Sequence, residues 1–498
     1  MRRTLVSLLA TSAALLFPAS ALAAPVLVLG HHGRVTVRHD RFVASEPLAP
    51  APAAPSASRA PLAAAAPDAL SARTAKKPSK PKKQPPITVA RVLAKLVAAG
   101  HISAAQRHQT LHAFNAALAA EKRLSGTRRT ELADVTSTVH DIAAAGGLWP
   151  SRLPAIVATL NANRRWWTSG SLLSYGQRVM FKGSLLEWEY YPGQGIQLQV
   201  LGTFGEANGF SEAGEDAQLE QVLSEMIPLA SHRGGGLTWE YYFKFDGGDP
   251  PWTSAMSQAT GLQALSSAYA VTKNPYYLQI AARALPVLTH RPPAGVMVPT
   301  RRGVRFLQYT FEPGTSIINA FLQTLIGLDA YATASGNPTA QRLFNEGNAE
   351  AQWEVPRFDT GAWSLYQPGE EDSLSYHELV TGFLAKLCTA TSTPVYCTTA
   401  QQFTADLKTA PVMTDLTHRA PARKPFTVRF RLSKISRVGI TVSRGTTPVF
   451  QTSATFPYGV HSVSVPKLPG GSYTVTLTGT DLAGNYAREA PAPLTLSR

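Results

Sequence analysis

One unit recurs in the middle of this chain and limits what it can fold into. Leu262-Gln263-Ala264-Leu265 leads to Ala268-Tyr269-Ala270 and stops at Asn274-Pro275. Sixty residues on, Leu322-Gln323-Thr324-Leu325 leads to Ala330-Tyr331-Ala332 and stops at Asn337-Pro338, and a fainter copy runs from Phe383–Leu387 to Thr393-Pro394. Proline cannot continue a helix but fits the first turn of the next one. Each copy is therefore a helical hairpin, and stacked hairpins bury a shared core. The predicted architecture over residues 213–415 is an α/α toroid with a central groove; an open solenoid is the alternative at this stage.

The 498 residues have room for about three domains, and the ends differ from the middle. Arg2 and Arg3, an apolar stretch from Leu5 to Leu16 and Ala21-Leu22-Ala23 read as a secretory signal over residues 1–23. Residues 24–86 are rich in Ala, Pro and Lys and end in the basic run Lys76–Lys83, which predicts an extended linker able to meet an anionic envelope surface. His31, His32 and His39 lie there without a regular ligand frame, so no metal is assigned to them. Residues 87–168 carry helical spacing, as in Val92, Leu93, Leu96 and Val97. Residues 169–212 break it with strand-like runs around Pro192-Gly193-Gln194-Gly195, a β-hairpin or small sheet. Residues 420–498 alternate apolar and polar, as in Phe426–Leu432 and Tyr473–Leu477, between turn-formers. That pattern predicts a β-sandwich of the immunoglobulin or fibronectin III kind, serving as a spacer or wall-binding unit. Cys388 and Cys397, the two cysteines of the chain, suit one local disulfide in an exported protein.

Charge follows the same division. Residues 1–86 hold 12 basic and 3 acidic residues, residues 420–498 hold 10 and 2, and the middle holds 25 and 27. The body is slightly acidic, which argues against a nucleic-acid-binding protein. There is no G-x-S-x-G, H-E-x-x-H, Walker loop or G-x-G-x-x-G.

Three places in the body hold the residues that could do chemistry. Trp239, Tyr241 and Trp252, with Gln258 beyond them, set rings beside hydrogen-bonding groups, as a sugar groove needs; core packing accounts for the rings equally well. Arg301, Arg302 and Arg305, followed by Gln308 and Tyr309, could receive carboxylates. Asp359-Thr360-Gly361 runs to Tyr366, then to Tyr376-His377.

In this order the three places resemble the C-terminal domain of the D-glucuronyl C5-epimerases, which convert glucuronate to iduronate in heparan-type chains. The matching features are Trp252-x-Ser254-Ala255-Met256-Ser257-Gln258, Tyr309 with a following proline, Asn319-Ala320-Phe321 with Leu325-Ile326-Gly327-Leu328, Asp359-Thr360-Gly361 to Tyr366, and Tyr376-His377. The resemblance covers about Tyr190 to Tyr396 and implies an α/α toroid. It implies catalytic roles for Tyr309, Tyr366 and Tyr376. Two features depart from it: Gln308 stands where the family commonly has glutamate, and Gln367-Pro368-Gly369 where it has a basic residue. Family members can contain calcium, but no ligand set maps onto this chain, and no cofactor is assigned.

Epimerisation at C5 removes a proton α to a carboxylate and returns one on the opposite face, with an enediolate-like intermediate between. The expectation is that Tyr376 and Tyr309 face opposite sides of the uronate while Tyr366 orients or donates. The arginines would hold the carboxylate, and Trp239, Tyr241, Trp252, Gln258, Asn319 and His377 would line the sugar site. A free phenol ionises near pH 10, so a tyrosinate base at neutrality costs about 4 kcal/mol unless neighbours lower it. The expected partner is an acidic, uronate-containing polysaccharide. A polysaccharide lyase and a non-catalytic exported glycan-binding protein are the alternatives.

Overall fold

The computed structural model describes residues 24–42 and 88–497. The secretory signal read over residues 1–23 and the basic run Lys76–Lys83 lie outside the described residues. The linker does not begin at residue 24. Strands β1 (Ala24–Leu29) and β2 (Val35–Asp40) form an antiparallel hairpin there. Val26 and Leu29 are buried in it, a short apolar run that the surrounding Ala/Pro composition hides. His31 and His32 are exposed at its turn and His39 along its second strand.

Helices α1 (Val89–Ala98), α2 (Ala104–Glu121), α3 (Gly126–Ala144) and α4 (Leu153–Ser169) follow. Ser103 and Gln106 cap α2 reciprocally, satisfying two N–H groups that a helix start leaves open. Strands β3 (Arg178–Phe181), β4 (Trp188–Tyr191) and β5 (Gly195–Leu198) then join the first hairpin in one sheet of order β2-β1-β3-β4-β5. The predicted β-hairpin is thus part of a five-stranded sheet, completed by the segment read as linker. Glu131 of α3 accepts the Tyr190 hydroxyl (2.8 Å) and the N–H of Gly195 (3.0 Å). Asn163 of α4 bonds both the N–H (2.8 Å) and the carbonyl (2.7 Å) of Ile196. Gly195 has φ 70°, and a Cβ there would lie 2.3 Å from Asn163 Oδ1, so glycine is required. These contacts fix the strand that carries Glu189 and Tyr191.

Four helical hairpins form the body, one more than the repeat displays. They are α5 (Val200–Glu212) with α6 (Asp216–Met226), α7 (Ala255–Thr272) with α8 (Pro275–Ala284), α9 (Ile318–Ser335) with α10 (Pro338–Glu354), and α11 (Leu374–Thr391) with α12 (Pro394–Asp406). The strands β6 (Ser231–Arg233), β7 (Gly236–Thr238), β8 (Met297–Pro299), β9 (Val304–Phe306), β10 (Leu365–Gln367) and β11 (Glu370–Glu371) pair as small hairpins in the three connections between them. The body therefore begins at Val200 rather than at residue 213. The recurrent Asn-Pro and Thr-Pro pairs act as read. Lys273, Gly336 and Ser392 end one helix in the left-handed region, and Asn274 and Asn337 cap the next, which opens on proline. The first hairpin turns instead at Gly214 and Glu215, without proline, so the repeat does not show it.

The first helix of each pair lies inside. α7 sits between α5 and α9, and α9 leads to α11. Gly327 of α9 allows the closest approach, since a Cβ there would meet the Ala259 carbonyl at 2.0 Å. Lys386 of α11 reaches back to Glu212 of α5 (2.8 Å), so the array curls on itself. The disulfide Cys388–Cys397 ties α11 to α12. No helix among the described residues is long and apolar enough to cross a membrane.

The C-terminal module has strands β12 (Met413–Asp415), β13 (Arg419–Pro421), β14 (Phe426–Leu432), β15 (Ser436–Arg444), β16 (Thr447–Phe456), β17 (Gly459–Val465), β18 (Gly471–Asp481), β19 (Tyr486–Arg488) and β20 (Ala492–Ser497). They make sheets of order β12-β14-β17 and β13-β20-β18-β15-β16, with β19 on β18. Strict alternation sends Val428 and Phe430 from one sheet, and Ile440, Val475 and Leu477 from the other, into a common core.

Candidate active site

Every inner helix is entered from a connection, and these connections meet. The N–H of Leu201, in the first turn of α5, bonds the Tyr241 hydroxyl (3.2 Å). Ala255 N–H, opening α7, bonds the Leu307 carbonyl (2.9 Å), and Thr310 N–H bonds that of Thr253 (3.1 Å). One mouth is thereby built from the starts of the inner helices.

Three phenols converge there from two connections. Tyr309 follows β9, Tyr366 lies on β10, and Tyr376 sits in the first turn of α11, which Ser373 caps. The rings of Tyr366 and Tyr376 meet edge to face at 5.2 Å. The Tyr366 hydroxyl lies near enough to that of Tyr309 for Tyr309 to hold it further from ionisation. Tyr309 stacks on Phe311 (5.2 Å, 12°) and meets the edge of Trp252 at 5.6 Å. Beside Tyr309 a narrow cleft is lined by Tyr191, Gln199, Tyr241, Trp252, Ser254 and Gln308, among others.

Behind this cleft runs a buried polar chain. Arg178 Nη1 is 2.6 Å from both Glu187 and Glu189. The Gln199 amide donates to Glu189 and to the Tyr191 hydroxyl, both at 2.9 Å, and the Tyr241 hydroxyl reaches Gln199 Oε1 (3.1 Å) and Ser257 Oγ (2.8 Å). Arg178 is also close enough to Tyr376 to be affected by its charge, the smallest of the influences on it. Alternation in β3 and β4 is the signal that could have revealed this chain. Glu187 and Glu189 share one face of a short strand, opposite Trp188 and Tyr190, in a segment buried throughout.

Burial sets the protonation states. It raises Tyr309 and Tyr366 far above the usual phenol range, and neighbouring tyrosines add to this. The charges acting on Tyr309 come from Tyr376, Asp246 and Tyr241 rather than from an arginine. Glu187 is pushed up to about 7 by burial, against the pull of Arg178.

The structure brings together Tyr309, Tyr366, Tyr376, Gln308, Tyr241 and Trp252. Tyr241 and Trp252 stack at 4.2 Å beside the cleft, and Gln308 accepts from Ser254 (3.2 Å). The arginines go elsewhere. Arg305 pairs with Glu354 of the outer helix α10 (3.1 Å), Arg302 lies over Trp353 of the same helix (4.3 Å), and Arg301 is exposed. Arg301 and Arg302 lie in the turn between β8 and β9, and alternation along β9 sends Arg305 to the face opposite Val304 and Phe306, which are buried. Trp239 is core: its indole N–H bonds the Met226 carbonyl (2.8 Å). Gln258 is fully buried, with its amide closing on the backbone of Trp239. His377 is fully buried as well. Its Nδ1 faces Ser364 (2.7 Å to Oγ), its Nε2 faces the Phe403 carbonyl (3.0 Å), and burial lowers it to about 4. Asn319 bonds Ala320 N–H in the first turn of α9 (2.8 Å). Gln258 and His377 thus build the scaffold, which a polar residue beside an aromatic one does not disclose from sequence. Among the described residues no group of three or more His, Cys, Asp or Glu side chains is placed to hold a metal ion.

Residues 234–405 match the family model described as D-glucuronyl C5-epimerase C-terminus. The D-glucuronyl C5-epimerase of Caenorhabditis elegans is 28% identical over 130 residues, 24% of this chain and 21% of that one. An uncharacterized protein of Methanocaldococcus jannaschii is 26% identical over 137 residues, 26% of this chain and 44% of that one. The chain thus spans less than half the length of these curated relatives. Among solved structures, an endo-β-1,4-glucanase from Acetobacter xylinum aligns over 45% of this chain and 72% of that one, at 12% identity and a TM-score of 0.32. Cellobiose 2-epimerase from Bacillus thermoamylovorans aligns over 43% and 59%, at 14% identity and 0.30. At scores this low neither fold nor function is carried over.

Proposed function

We propose that this chain is a carbohydrate epimerase of the glucuronyl C5 type, acting on uronate residues of an acidic polysaccharide. The observation that carries the reading is the meeting of Tyr309, Tyr366 and Tyr376 at one mouth, inside the segment that matches the epimerase family model. The secretory signal read over residues 1–23 supports an exported enzyme whose substrate lies outside the cytoplasm. The basic run Lys76–Lys83 is a further means of holding it at an anionic envelope surface.

The environments of the phenols divide the labour. Tyr376 is half-buried and lies near Arg178, whereas Tyr309 and Tyr366 are held protonated by burial. Tyr376 takes the C5 proton, and the electron pair of that C–H bond passes into the C5–carboxylate unit as an enediolate. The Tyr309 hydroxyl returns a proton to C5 on the opposite face and is left as phenolate. Tyr366, in contact with both, carries a proton from Tyr376 back to Tyr309 and restores the starting state. Neutral donors, the phenols and the Gln308 amide, stabilise the developing oxyanion in a dry cleft. In this reading Arg301, Arg302 and Arg305 are not the carboxylate clamp.

Proton NMR of unsulfated heparosan incubated with the protein in deuterated water tests the proposal. Loss of the C5–H signal with iduronate appearing is expected, and Tyr376→Phe and Tyr309→Phe each abolish it. An olefinic signal would identify a lyase instead, and unchanged turnover in the double Phe variant would overturn the assignment of the tyrosines.

A further inference from the structure

The connection that carries Tyr366 and leads into Tyr376 is gripped by the C-terminal module. Glu371 on β11 pairs with Leu365 on β10, the neighbour of Tyr366. Its carboxylate accepts two backbone N–H groups from the module, Ile435 (2.8 Å) and Tyr458 (2.6 Å). On the other side, Lys434 from the turn between β14 and β15 enters the body and is 1% exposed. Its ammonium lies 2.6 Å from Asp481 and donates to the carbonyls of Asp406 (2.7 Å) and Thr409, which occupies all three of its donors. It stands 5.1 Å from the centre of the Trp363 ring. That ring lies flat on His377 (3.8 Å, 8°), the residue after Tyr376, and its N–H bonds the Asp372 carbonyl (2.9 Å).

We propose that the C-terminal β module is a positioning element of the tyrosine site, holding residues 359–377 between Glu371 and Lys434, rather than a spacer. The proposal rests on the reading of the three tyrosines as the site. A buried lysine is costly unless every donor is matched, and a spacer would have no use for one beneath the connection that carries Tyr366. The two-point grip from Glu371 falls between Tyr366 and Tyr376, so a shift of the module moves the ring pair whose spacing sets proton transfer. Glu371 and Lys434 touch no substrate; they act through Tyr366 and Tyr376.

The test uses the full chain with Glu371→Ala, Glu371→Gln and Lys434→Met. Hydrogen exchange is followed in peptides covering 359–377 and 426–477, alongside kcat and KM on the uronate polymer. For Glu371→Ala, exchange across 359–377 should rise by about tenfold or more, since loss of even one hydrogen bond to a charged group implies that much, while 426–477 stays protected. Turnover should fall about 10- to 100-fold in kcat with KM little changed, because misplacement of reacting groups by about 1 Å has that effect. Glu371→Gln, which keeps one acceptor, should recover part of it. Lys434→Met strands Asp481 and could loosen the module itself; Glu371 lies outside the module and answers even then. Unchanged exchange across 359–377 in Glu371→Ala overturns the proposal, as does faster exchange with unchanged kcat. Faster exchange in a protein whose wild type turns over no uronate polymer would sink the epimerase reading while leaving the grip established.

Discussion

Glu206, on α5, should weaken the folded protein above pH 5, and replacing it by glutamine should strengthen it. Its side chain is fully buried, and neither carboxyl oxygen has a hydrogen-bond partner of good geometry. Its charged neighbours are Glu187, Asp40 and the partly exposed Arg38, whose Nη2 stands 3.6 Å away. Burial first, then the two carboxylates, push Glu206 up to about 9 from 4.5. Between those values the folded chain holds a proton that the unfolded chain releases, so stability is present at low pH and lost as pH rises. At pH 7 the gap of 7 − 4.5 units corresponds to about 3.4 kcal/mol as an upper figure. Glutamine keeps a donor and carries no ionisation penalty. Glu206→Gln should therefore gain about 2–3 kcal/mol at pH 7, more at pH 8.5 and almost nothing at pH 4.5. Read as a melting temperature for the helical body, that is a rise of roughly 4–10 °C at pH 7. Thermal and urea unfolding at the three pH values decide it. A loss at pH 8.5 would mean that the buried carboxyl is ionised and held by Arg38, and a gain independent of pH would mean that its ionisation does not set the effect; in either case the reasoning would fail. Asp372 and Glu354, each pushed up to about 7 by burial, act in the same direction. The wild-type protein should accordingly melt higher at pH 5 than at pH 8.

Further outcomes follow from the site and its frame. Turnover should rise from pH 6 toward alkaline values, since the base must be unprotonated; a falling limb over that range in a pH–rate profile would contradict a phenolate base. Arg301→Ala with Arg302→Ala should leave kcat/KM within about twofold, because both lie away from the tyrosines; a loss of tenfold or more would restore them as the clamp. Arg178→Met should destabilise by about 3–5 kcal/mol, measured by urea unfolding, because Glu187 and Glu189 would be left buried without their cation. Removing the disulfide with Cys388→Ser and Cys397→Ser should cost about 2.5 kcal/mol, as closing so short a loop implies, with calorimetry as the readout.

The repeat was legible because its punctuation is local. Asn274-Pro275 and Asn337-Pro338 combine a cap, a proline and a helix end within a few residues. The strands of the C-terminal module were legible for a similar reason, since Phe426–Leu432 alternates without a break. The sheet was only half legible. Its β1–β2 hairpin comes from residues 24–40, and its pairing with β3 spans more than a hundred residues, so no local pattern announces it. The tyrosines could be named from the resemblance, but their partners could not. Arg305 sits four residues from Tyr309, yet β9 turns it toward α10, while Arg178 reaches Tyr376 from far upstream. Sequence proximity pointed to arginines that the structure places away from the tyrosines, because strand direction, not distance along the chain, decides which face Arg305 takes.

The hairpin repeat and the site are two aspects of one construction. A stacked helical pair fixes where its inner helix starts to within the tolerance of a packed core, and the connection before it can vary without disturbing that core. Each connection here delivers a different reactive or supporting group to the mouth: β4–β5 brings Tyr191, the segment after β7 brings Tyr241, the segment after β9 brings Tyr309, and β10–β11 brings Tyr366 and then Tyr376. The β10–β11 connection is distinctive in that a separate module reaches around to grip it, through Glu371 and Lys434. It also carries two of the three phenols. A short two-strand connection has little core of its own, so its geometry must be set from outside, and the phenols it presents tolerate displacement least. The β module and the tyrosines therefore form one functional unit joined at residues 359–377, and substitutions in the turn around Lys434 should alter chemistry before they alter binding.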